Sequence, residues 1–281
     1  MSEILVTGAT GNVGREVVAQ LLAAGNAVRA LARDPESAEL PGEAKVVGGD
    51  LSEPDSLEGA LTGSEAVFLI WPFLTTEGAP AVLEAIARHA RRIVYLSSSG
   101  VNEDADRQTD PIHQLHADME RLIEKSGLEW TILRSDSIAS NARWWAEQIR
   151  ATDVVRGPDI AATAVIHERD IAAVAVRALT DDGHTGAKHV LTGPQVLSRA
   201  DEVHTIGQAI GRATRFEKVP LQVAREQMLA DGLPPALVEA LLASAETRPE
   251  SSLVTSAVEE ITGAPARTFR SWAEEHAGDF R

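Results

Sequence analysis

Hydrophobic positions in the first half of the chain alternate between two patterns. Short apolar, often β-branched runs are typical of buried strands, whereas apolar residues spaced three and four apart are typical of helices. The pattern predicts strands at residues 4–6, 27–32, 45–47, 65–71, 92–97 and 130–134, and helices at 13–24, 54–61, 80–90 and 111–125. Repeated strand–helix units predict an α/β fold with a doubly wound parallel sheet that binds ligands at the carboxyl ends of its strands.

The pattern changes after Arg134. Residues 135–157 are irregular around a helix near 141–150. A helix, a seventh strand and a further helix follow at 170–179, 189–191 and 198–211, and residues 220–281 are mainly helical with breaks near 232–235 and 248–252. We therefore expect two units. The first is residues 1–134, to which 160–192 return, and the second is a small, mainly helical lobe for a substrate, formed by 135–159 and 193–281.

Composition narrows the function classes. The 281 residues are 44% apolar and 24% charged, and the net charge of −16 makes nucleic acid and anionic membranes unexpected partners. The chain has no cysteine, and its histidines at 167, 184, 189 and 204 lack metal-ligand spacing, so no metal is expected. No apolar run is long enough to span a membrane, and no secretory signal precedes the first strand. We expect a cytoplasmic monomer or homodimer.

A glycine-rich turn lies between the first predicted strand and the first helix. Its glycines, Gly8, Gly11 and Gly14, have the spacing G-x-x-G-x-x-G. In Rossmann domains such glycines permit a tight turn and close approach of a pyrophosphate, which the helix N-terminus attracts. A glycine turn without a ligand is the alternative. The context predicts a nicotinamide dinucleotide site formed by Gly8, Thr10, Gly11, Asn12 and Val13.

The ends of the next strands complete the predicted cofactor site. Arg33 stands where NAD-specific sites usually place a carboxylate, and an arginine suits a 2′-phosphate, so we expect NADP(H) in preference to NAD(H). The adjacent Asp34 weakens that preference, and a solvated surface arginine is the alternative. Asp50 and Leu51 are expected near the adenine, unless Asp50 only caps the next helix. Contacts with the middle of the cofactor are expected from Ile70 and Trp71, with core packing as the alternative.

Several motifs resemble one family over essentially the whole chain. These are G-A-T-G-N-V-G at 8–14, A-L-A-R-D-P at 30–35, G-D-L-S-E-P-D-S-L at 49–57, S-G-L-E-W-T-I-L-R at 126–134, L-T-G-P-Q-V-L-S at 191–198 and I-T-G-A-P-A-R-T-F-R-S-W at 261–272. They are similar to the NmrA-like atypical short-chain dehydrogenase/reductases, which include quinone reductases, phenylpropanoid reductases and NADP-sensing regulators. The resemblance implies an extended Rossmann fold with the nicotinamide near Ser97, Ser98 and Ser99. Ser97 is therefore a further expected cofactor contact.

The usual catalytic pair of short-chain dehydrogenases, a tyrosine and a lysine four residues later, is missing. The only tyrosine, Tyr95, lies inside the fifth predicted strand, and position 99 is Ser99. The resemblance places His116 where reductases of this family carry lysine or, in some quinone-reducing members, histidine. Glu120, one helical turn later, could orient its ring or raise its pKa. A surface position or a contact with the cofactor ribose is the alternative for His116.

Two other polar residues are candidate catalytic groups. Ser98 could donate a hydrogen bond to a substrate carbonyl, or only cap the strand. Asp136 replaces a residue of the family's R-P-G or R-P-N sequence and could act as a second acid/base group, or could bond to backbone in a loop. A flat apolar substrate pocket is predicted between Phe73, Trp144 and Trp145, although aromatic residues more often pack a core.

These features favour an NADPH-dependent oxidoreductase that reduces a planar quinone-like or enone-like small molecule by direct hydride transfer. His116 or water would supply the proton. Two alternatives stay open at this point. One is a non-enzymatic NADP(H)-binding redox sensor, and the other is an isomerase or cyclase that uses Asp136 and His116 as an acid/base pair.

Overall fold

A computed structural model describes residues 3–247 and 252–281. Nine strands occur within these ranges, and seven of them form one parallel sheet in the order β3-β2-β1-β4-β5-β6-β8. The strands are β1 (Glu3–Val6), β2 (Ala27–Ala32), β3 (Lys45–Gly48), β4 (Ser64–Leu69), β5 (Arg92–Ser98), β6 (Glu129–Ser135), β7 (Val154–Gly157), β8 (Ala187–Leu191) and β9 (Arg215–Lys218).

Helices connect the strands and build the lobe. They are α1 (Asn12–Ala23), α2 (Glu58–Leu61), α3 (Ala79–His89), α4 (Pro111–Glu124), α5 (Ala146–Thr152), α6 (Glu168–Thr180), α7 (Arg199–Ile210), α8 (Leu221–Ala230), α9 (Pro235–Thr247), α10 (Ala257–Thr262) and α11 (Phe269–Glu275). Short 3₁₀ segments lie at Pro54–Leu57, Ala139–Trp145 and Ala277–Phe280. Of the helices in the two described ranges, none is both long and apolar enough to cross a bilayer.

The sheet is buried on both faces. On one face, Leu21 of α1 and Val174 of α6 pack in one apolar cluster with Phe68 of β4. On the other, Ile86 of α3 and Met119 of α4 pack with the opposite face of the same strands. Apolar side chains on both sides of parallel strands explain the continuous hydrophobic runs of the sequence. The predicted doubly wound α/β fold is confirmed.

The topology reverses between β1 and β4. Successive strands extend from β1 towards β3 on one side and from β4 towards β8 on the other, which opens a crevice beyond the ends of the two central strands. Thr7 fixes this crevice, because its hydroxyl accepts a hydrogen bond from the Ile70 N–H (2.8 Å) and donates one to the Ile70 carbonyl (3.2 Å).

The lobe has its own core around Trp272, which is fully buried and stacks on Phe269. Strands β7 and β9 pair in parallel at its surface. Irregular structure was expected through residue 157, and the lobe was expected to be mainly helical, so neither strand was predicted. Both are only 4 residues long, and β9 is Arg-Phe-Glu-Lys, so neither shows the apolar run of a buried strand. The predicted break near 248–252 falls, apart from residue 252, outside the described residues.

Candidate active site

The glycine-rich loop between β1 and α1 is tightly closed. Gly8 has a φ of +60°, in the left-handed region that favours glycine. A Cβ on Gly14 would lie 2.1 Å from the Gly8 carbonyl oxygen, so a larger residue there would displace the loop. Gly11 precedes α1, and no side chain caps the first N–H groups of this helix. These free N–H groups form a cradle that fits a pyrophosphate.

The other loop residues of the predicted cofactor site differ in how far their side chains are exposed. Thr10 and Asn12 are exposed beside the cradle. Val13 is buried in the core, so only its backbone N–H is available to a phosphate.

Arg143 of the lobe reaches this loop. Its Nη1 donates to Oδ1 of Asn12 at 2.7 Å, while its Nη2 lies 3.1 Å from Nδ1 of His276 and its Nε lies 3.0 Å from a carboxylate oxygen of Asp279. The guanidinium is therefore held at the mouth of the cradle by the C-terminal part of the lobe. Sequence reasoning missed Arg143, because Asn12 is 131 positions away and no local pattern marks the contact.

Arg33 and Asp50 follow the carboxyl ends of β2 and β3, which are neighbours in the sheet. Arg33 is exposed and makes no hydrogen bond or ion pair with the rest of residues 3–247 and 252–281. Hydrogen bonds from Ser52 lower the pKa of the Asp50 carboxyl, and the charge of nearby Arg33 adds to the effect. The Asp50 carboxylate accepts a hydrogen bond from the Ser52 N–H at 2.8 Å, which closes a tight turn. It does not cap the 3₁₀ segment that follows.

Three apolar residues of the predicted site lie at different depths. Ile70 lines the central cavity and is the side chain nearest to Gly8. The Trp71 ring also lines the cavity, and its Nε1 donates to the Thr75 carbonyl at 2.8 Å. Leu51 is buried in the core, so only its backbone can face an adenine.

Phe73 does not line the cavity. It packs edge-to-face on Trp71, with ring centroids 5.0 Å apart and an interplanar angle of 73°. The substrate contact predicted for Phe73 is therefore corrected to a supporting contact behind Trp71.

A cavity of about 820 Å³ begins at the carboxyl ends of β4, β5 and β6 and continues into the lobe. Ser97, Ser98, His116, Asp136, Trp144 and Trp145 all line it. The structure thus brings together most of the residues that the sequence singled out. Within the described ranges, no group of three or more potential metal ligands is gathered, here or elsewhere.

His116 is held by Tyr95. The Tyr95 hydroxyl lies 2.8 Å from Nδ1 of His116, and the tyrosine ring is fully buried while the histidine borders the cavity. No second hydrogen-bond partner of the Tyr95 hydroxyl occurs in the described chain, so the phenol donates to Nδ1. The His116 proton is then on Nε2. Sequence reasoning set Tyr95 aside because it lacks a lysine partner, and did not predict that its hydroxyl contacts the histidine.

The pKa values place both groups in their neutral forms. The pKa of His116 is lowered to about 4, mainly by burial and in part by the nearby His113, against a smaller opposing effect of Asp110. Burial and the charge of Glu120 raise the pKa of Tyr95. Near neutral pH the site therefore contains a neutral imidazole that donates a hydrogen bond, and not an imidazolium acid.

Glu120 does not orient His116, contrary to the prediction. Its carboxylate accepts two hydrogen bonds from Arg134 (3.0 and 2.5 Å) and one from the Ser97 hydroxyl (2.5 Å). Burial opposes the charge on Arg134, but its hydrogen bonds and ion pairs with Glu120 and Glu103 raise its pKa. The buried pair joins α4 to β6 and so fixes the helix that carries His116.

Ser98 and Asp136 both line the cavity, at the ends of the neighbouring strands β5 and β6. The Ser98 Oγ accepts a hydrogen bond from the Gly100 N–H at 3.3 Å and keeps its own proton for a ligand. Asp136 accepts from the backbone N–H groups of Ser137 (2.7 Å) and Ala164 (3.0 Å). This geometry favours the loop-holding role of Asp136 over acid/base chemistry.

The two adjacent tryptophans form the lobe side of the cavity. Trp144 is 53% exposed although it lines the cavity, which leaves its ring face available to a ligand. The Arg199 guanidinium lies 5.0 Å from the centre of the Trp145 ring and fixes that side chain by a cation–π contact.

The fold and the loop together define a dinucleotide-binding protein of the Rossmann type. Residues 8–182 match the model of the NAD(P)H-binding family, and the chain belongs to this family. It is 40% identical over 284 residues to the (4-alkanoyl-5-oxo-2,5-dihydrofuran-3-yl)methyl phosphate reductase of Streptomyces griseus, with 99% of each chain covered. It is 34% identical to the NAD(P)H azoreductase of Xenophilus azovorans, again with 99% of each covered.

A solved structure shares the fold. The triphenylmethane reductase of Citrobacter sp., complexed with NADP(H), superimposes with a TM-score of 0.80 at 20% identity, covering 99% of this chain and 100% of the other. The predicted family resemblance, the nicotinamide cofactor and the oxidoreductase class are confirmed.

Proposed function

We propose that the protein is an NADPH-dependent reductase of planar, electron-poor small molecules, with conjugated enones and quinones as the substrate class. The observation that carries the proposal is the cavity in which His116, held by Tyr95, faces the carboxyl ends of the central strands. The Streptomyces relative is named for reduction of an alkanoyl-dihydrofuranone that carries a methyl phosphate, and the Xenophilus relative is named as an azoreductase. Both names describe conjugated electron acceptors.

The cofactor would lie across the crevice. The backbone of Gly8–Val13 fits the pyrophosphate, with Arg143 supplying a positive charge from the lobe side. Arg33 is free to pair with a 2′-phosphate, and this favours NADP(H) over NAD(H). Asp50 and Leu51 would flank the adenine, and Ile70, Trp71 and Ser97 would contact the middle and nicotinamide portions. NADPH, when bound there, supplies the hydride.

His116 stabilises the charge that the hydride creates. As the substrate carbon accepts the hydride, negative charge develops on the conjugated oxygen, and the Nε2–H of His116 donates a hydrogen bond to it. A neutral imidazole can act in this way without giving up its proton. The second hydrogen of the product is a proton taken from water after the two-electron step. Ser98 donates a second hydrogen bond to the same oxygen, and Asp136 holds the loop.

The aromatic walls select a flat substrate. Trp144 and Trp145 offer ring faces that stack on a conjugated acceptor and exclude water from the hydride path. A cytoplasmic location and a monomeric or homodimeric state both stay predictions.

Oxidation of NADPH by a panel of methyl-benzoquinone, a cyclic enone and an azo dye tests the proposal. We expect turnover with at least one acceptor, and a fall of about a hundredfold in kcat for His116→Ala, since removal of one oxyanion donor commonly has this effect. A wild-type protein that binds NADPH but oxidises it with none of these acceptors would overturn the proposal.

A further inference from the structure

The cavity continues well beyond the residues that surround a flat ring. Its lining in the lobe includes Ala224 and Met228 of α8, Leu241 of α9, Leu233 of the connection between these helices, and Phe216 of β9. We call these five residues the apolar slot. A volume of about 820 Å³ lies towards the upper end of the roughly 300–1,000 Å³ of small-molecule sites. The nicotinamide would take the part lined by Ile70, Trp71 and Ser97, and a ring at His116 the part beside it, so the slot is the lobe part of the cavity that neither of them lines.

The slot is apolar but is not a packed core. Between α8 and α9 only Ala224, Val238 and Leu242 are fully buried in their shared cluster. Met228 and Leu233 are half-buried, because part of each side chain faces the cavity. Apolar surface that lines a cavity is hydrated unless a ligand covers it, and covering it lowers the free energy.

The polar groups at this end argue against a charged occupant. Three polar side chains of α8, α9 and their connection line the cavity, namely Gln227, Asp231 and Ser244. Gln227 donates to the Asp231 carboxylate at 2.8 Å, so these two satisfy each other. Among the described residues of α8 and α9, none that lines the cavity is basic. An anionic group would meet Asp231 without a counter-charge.

Four arginines of the described residues line the cavity, all outside α8 and α9, and each has a partner. Arg143 bonds to Asn12, and Arg150 donates to the Asp279 carbonyl. Arg156 pairs with Glu217 at 3.3 Å, and Arg199 lies over Trp145. We propose that the apolar slot binds a neutral hydrocarbon chain attached to the planar acceptor. The substrate class is then an alkyl- or acyl-substituted enone or quinone. This inference rests on the proposed function, because it takes the ring to lie at His116.

Chain-length dependence tests the inference with two probes, methyl-benzoquinone and hexyl-benzoquinone. Each methylene that leaves water strengthens binding by about fourfold at the limit. We expect hexyl-benzoquinone to bind the NADP⁺ complex at least tenfold more tightly than the methyl compound, as measured by calorimetry. The same ratio is expected in kcat/KM with NADPH. Equal affinities for the two probes in the wild-type protein would overturn the inference.

Three variants test whether the dependence on chain length arises in the apolar slot. Met228→Trp fills the slot and is expected to reduce the hexyl-to-methyl ratio to within about threefold of one, since roughly one methylene's worth of burial would remain. Leu241→Gln provides a second variant with a smaller change, expected to lower the ratio by several fold. Val223→Trp is the matched control, because Val223 is on the same helix but 45% exposed. It should keep the wild-type ratio.

The two failures are distinguishable. If neither Met228→Trp nor Val223→Trp changes the hexyl-to-methyl ratio of the wild-type protein, the hydrocarbon chain of the quinone binds elsewhere. This result would overturn the inference that the slot binds it. Tight binding of hexyl-benzoquinone to the NADP⁺ complex, lost in Met228→Trp, supports the slot even when neither quinone is reduced. In that case the proposed reduction of quinones is overturned, while the binding of a hydrocarbon chain in the slot is supported.

Discussion

The hydroxyl of Tyr95 donates to Nδ1 of His116 across 2.8 Å, from the middle of the sheet to the helix above it. Tyr95 is fully buried on β5, so its phenol has little freedom to move. This bond fixes both the tautomer and the orientation of the imidazole. The tyrosine of this chain therefore has a positioning role, one layer behind the residue that faces the cavity.

Replacement of Tyr95 should weaken catalysis without weakening cofactor binding. Tyr95→Phe keeps the ring but leaves His116 free to change tautomer and rotate, and we expect kcat to fall about tenfold, equivalent to the roughly 1–1.5 kcal/mol of one hydrogen bond. The Kd for NADPH should stay within twofold. In His116→Ala the additional Tyr95→Phe change should have little further effect on kcat. Fully additive losses would show that the two residues act independently.

The low pKa of His116 links stability to pH. The folded-state pKa is about 4 against an unfolded value of 6.5, so acid protonates the unfolded chain first. The stabilisation is complete above pH 6.5 and is lost as the pH falls towards 4. Between pH 7 and pH 5 this group alone should cost about 2 kcal/mol of unfolding free energy. Urea unfolding of the wild type and of His116→Gln at pH 7 and pH 5 checks this. Between these two pH values the variant should lose about 2 kcal/mol less unfolding free energy than the wild type. Parallel pH profiles would contradict the buried neutral histidine.

Much of the fold follows from local patterns. Strands such as Ala66–Leu69 are apolar on both faces, and the alternating helices leave few other topologies for a parallel sheet. The cofactor loop could also be predicted from the sequence. Gly8, Gly11 and Gly14 lie within seven residues, and the steric reasons for glycine at these positions are local.

The side-chain contacts of the candidate active site could not be predicted from local sequence patterns. Tyr95 and His116 meet only because β5 and α4 pack at one register, and Arg143 meets Asn12 only when the lobe docks on the sheet. Glu120 lies one turn from His116 on the helix, and spacing alone suggested a pair. The buried guanidinium of Arg134 provides a stronger partner for that carboxylate, which no local pattern reveals.

Arg143 should contribute to cofactor affinity. Arg143→Gln removes the positive charge at the loop, and we expect the Kd for NADPH to rise at least about tenfold, since a charged hydrogen bond contributes roughly 1.5–3 kcal/mol. Intrinsic fluorescence or calorimetry measures this without turnover. Arg270→Gln is the control, since Arg270 is exposed in the lobe and bonds only to Gln208 in the described chain. Unchanged affinity in Arg143→Gln would place the pyrophosphate away from the lobe.

Arg33 should set the choice between the two nicotinamide cofactors. Arg33→Gln removes the group expected to pair with the 2′-phosphate, so the ratio of kcat/KM for NADPH over NADH should fall at least tenfold. Arg33→Lys keeps a charge and should retain part of the preference. The Kd values for NADP⁺ and NAD⁺ give the same comparison at equilibrium. A preference that does not change in Arg33→Gln would mean that another residue holds the 2′-phosphate.

The buried Glu120–Arg134 pair should be essential to the stability of the site. Glu120→Ala leaves the guanidinium of Arg134, which is only 6% exposed, with Glu103 as its remaining ion-pair partner in the described chain. We expect a loss of about 3 kcal/mol in the free energy of unfolding. Breaking a buried pair typically costs about 3–5 kcal/mol, and the remaining pair with Glu103 places the loss at the lower end of that range. The double variant Glu120→Leu with Arg134→Met removes both charges and should recover most of this loss. Asp159→Ala breaks the exposed pair with Lys218 and should cost less than about 1 kcal/mol. Urea unfolding compares the four proteins, and a Glu120→Ala cost no larger than that of Asp159→Ala would show that the pair does not anchor α4.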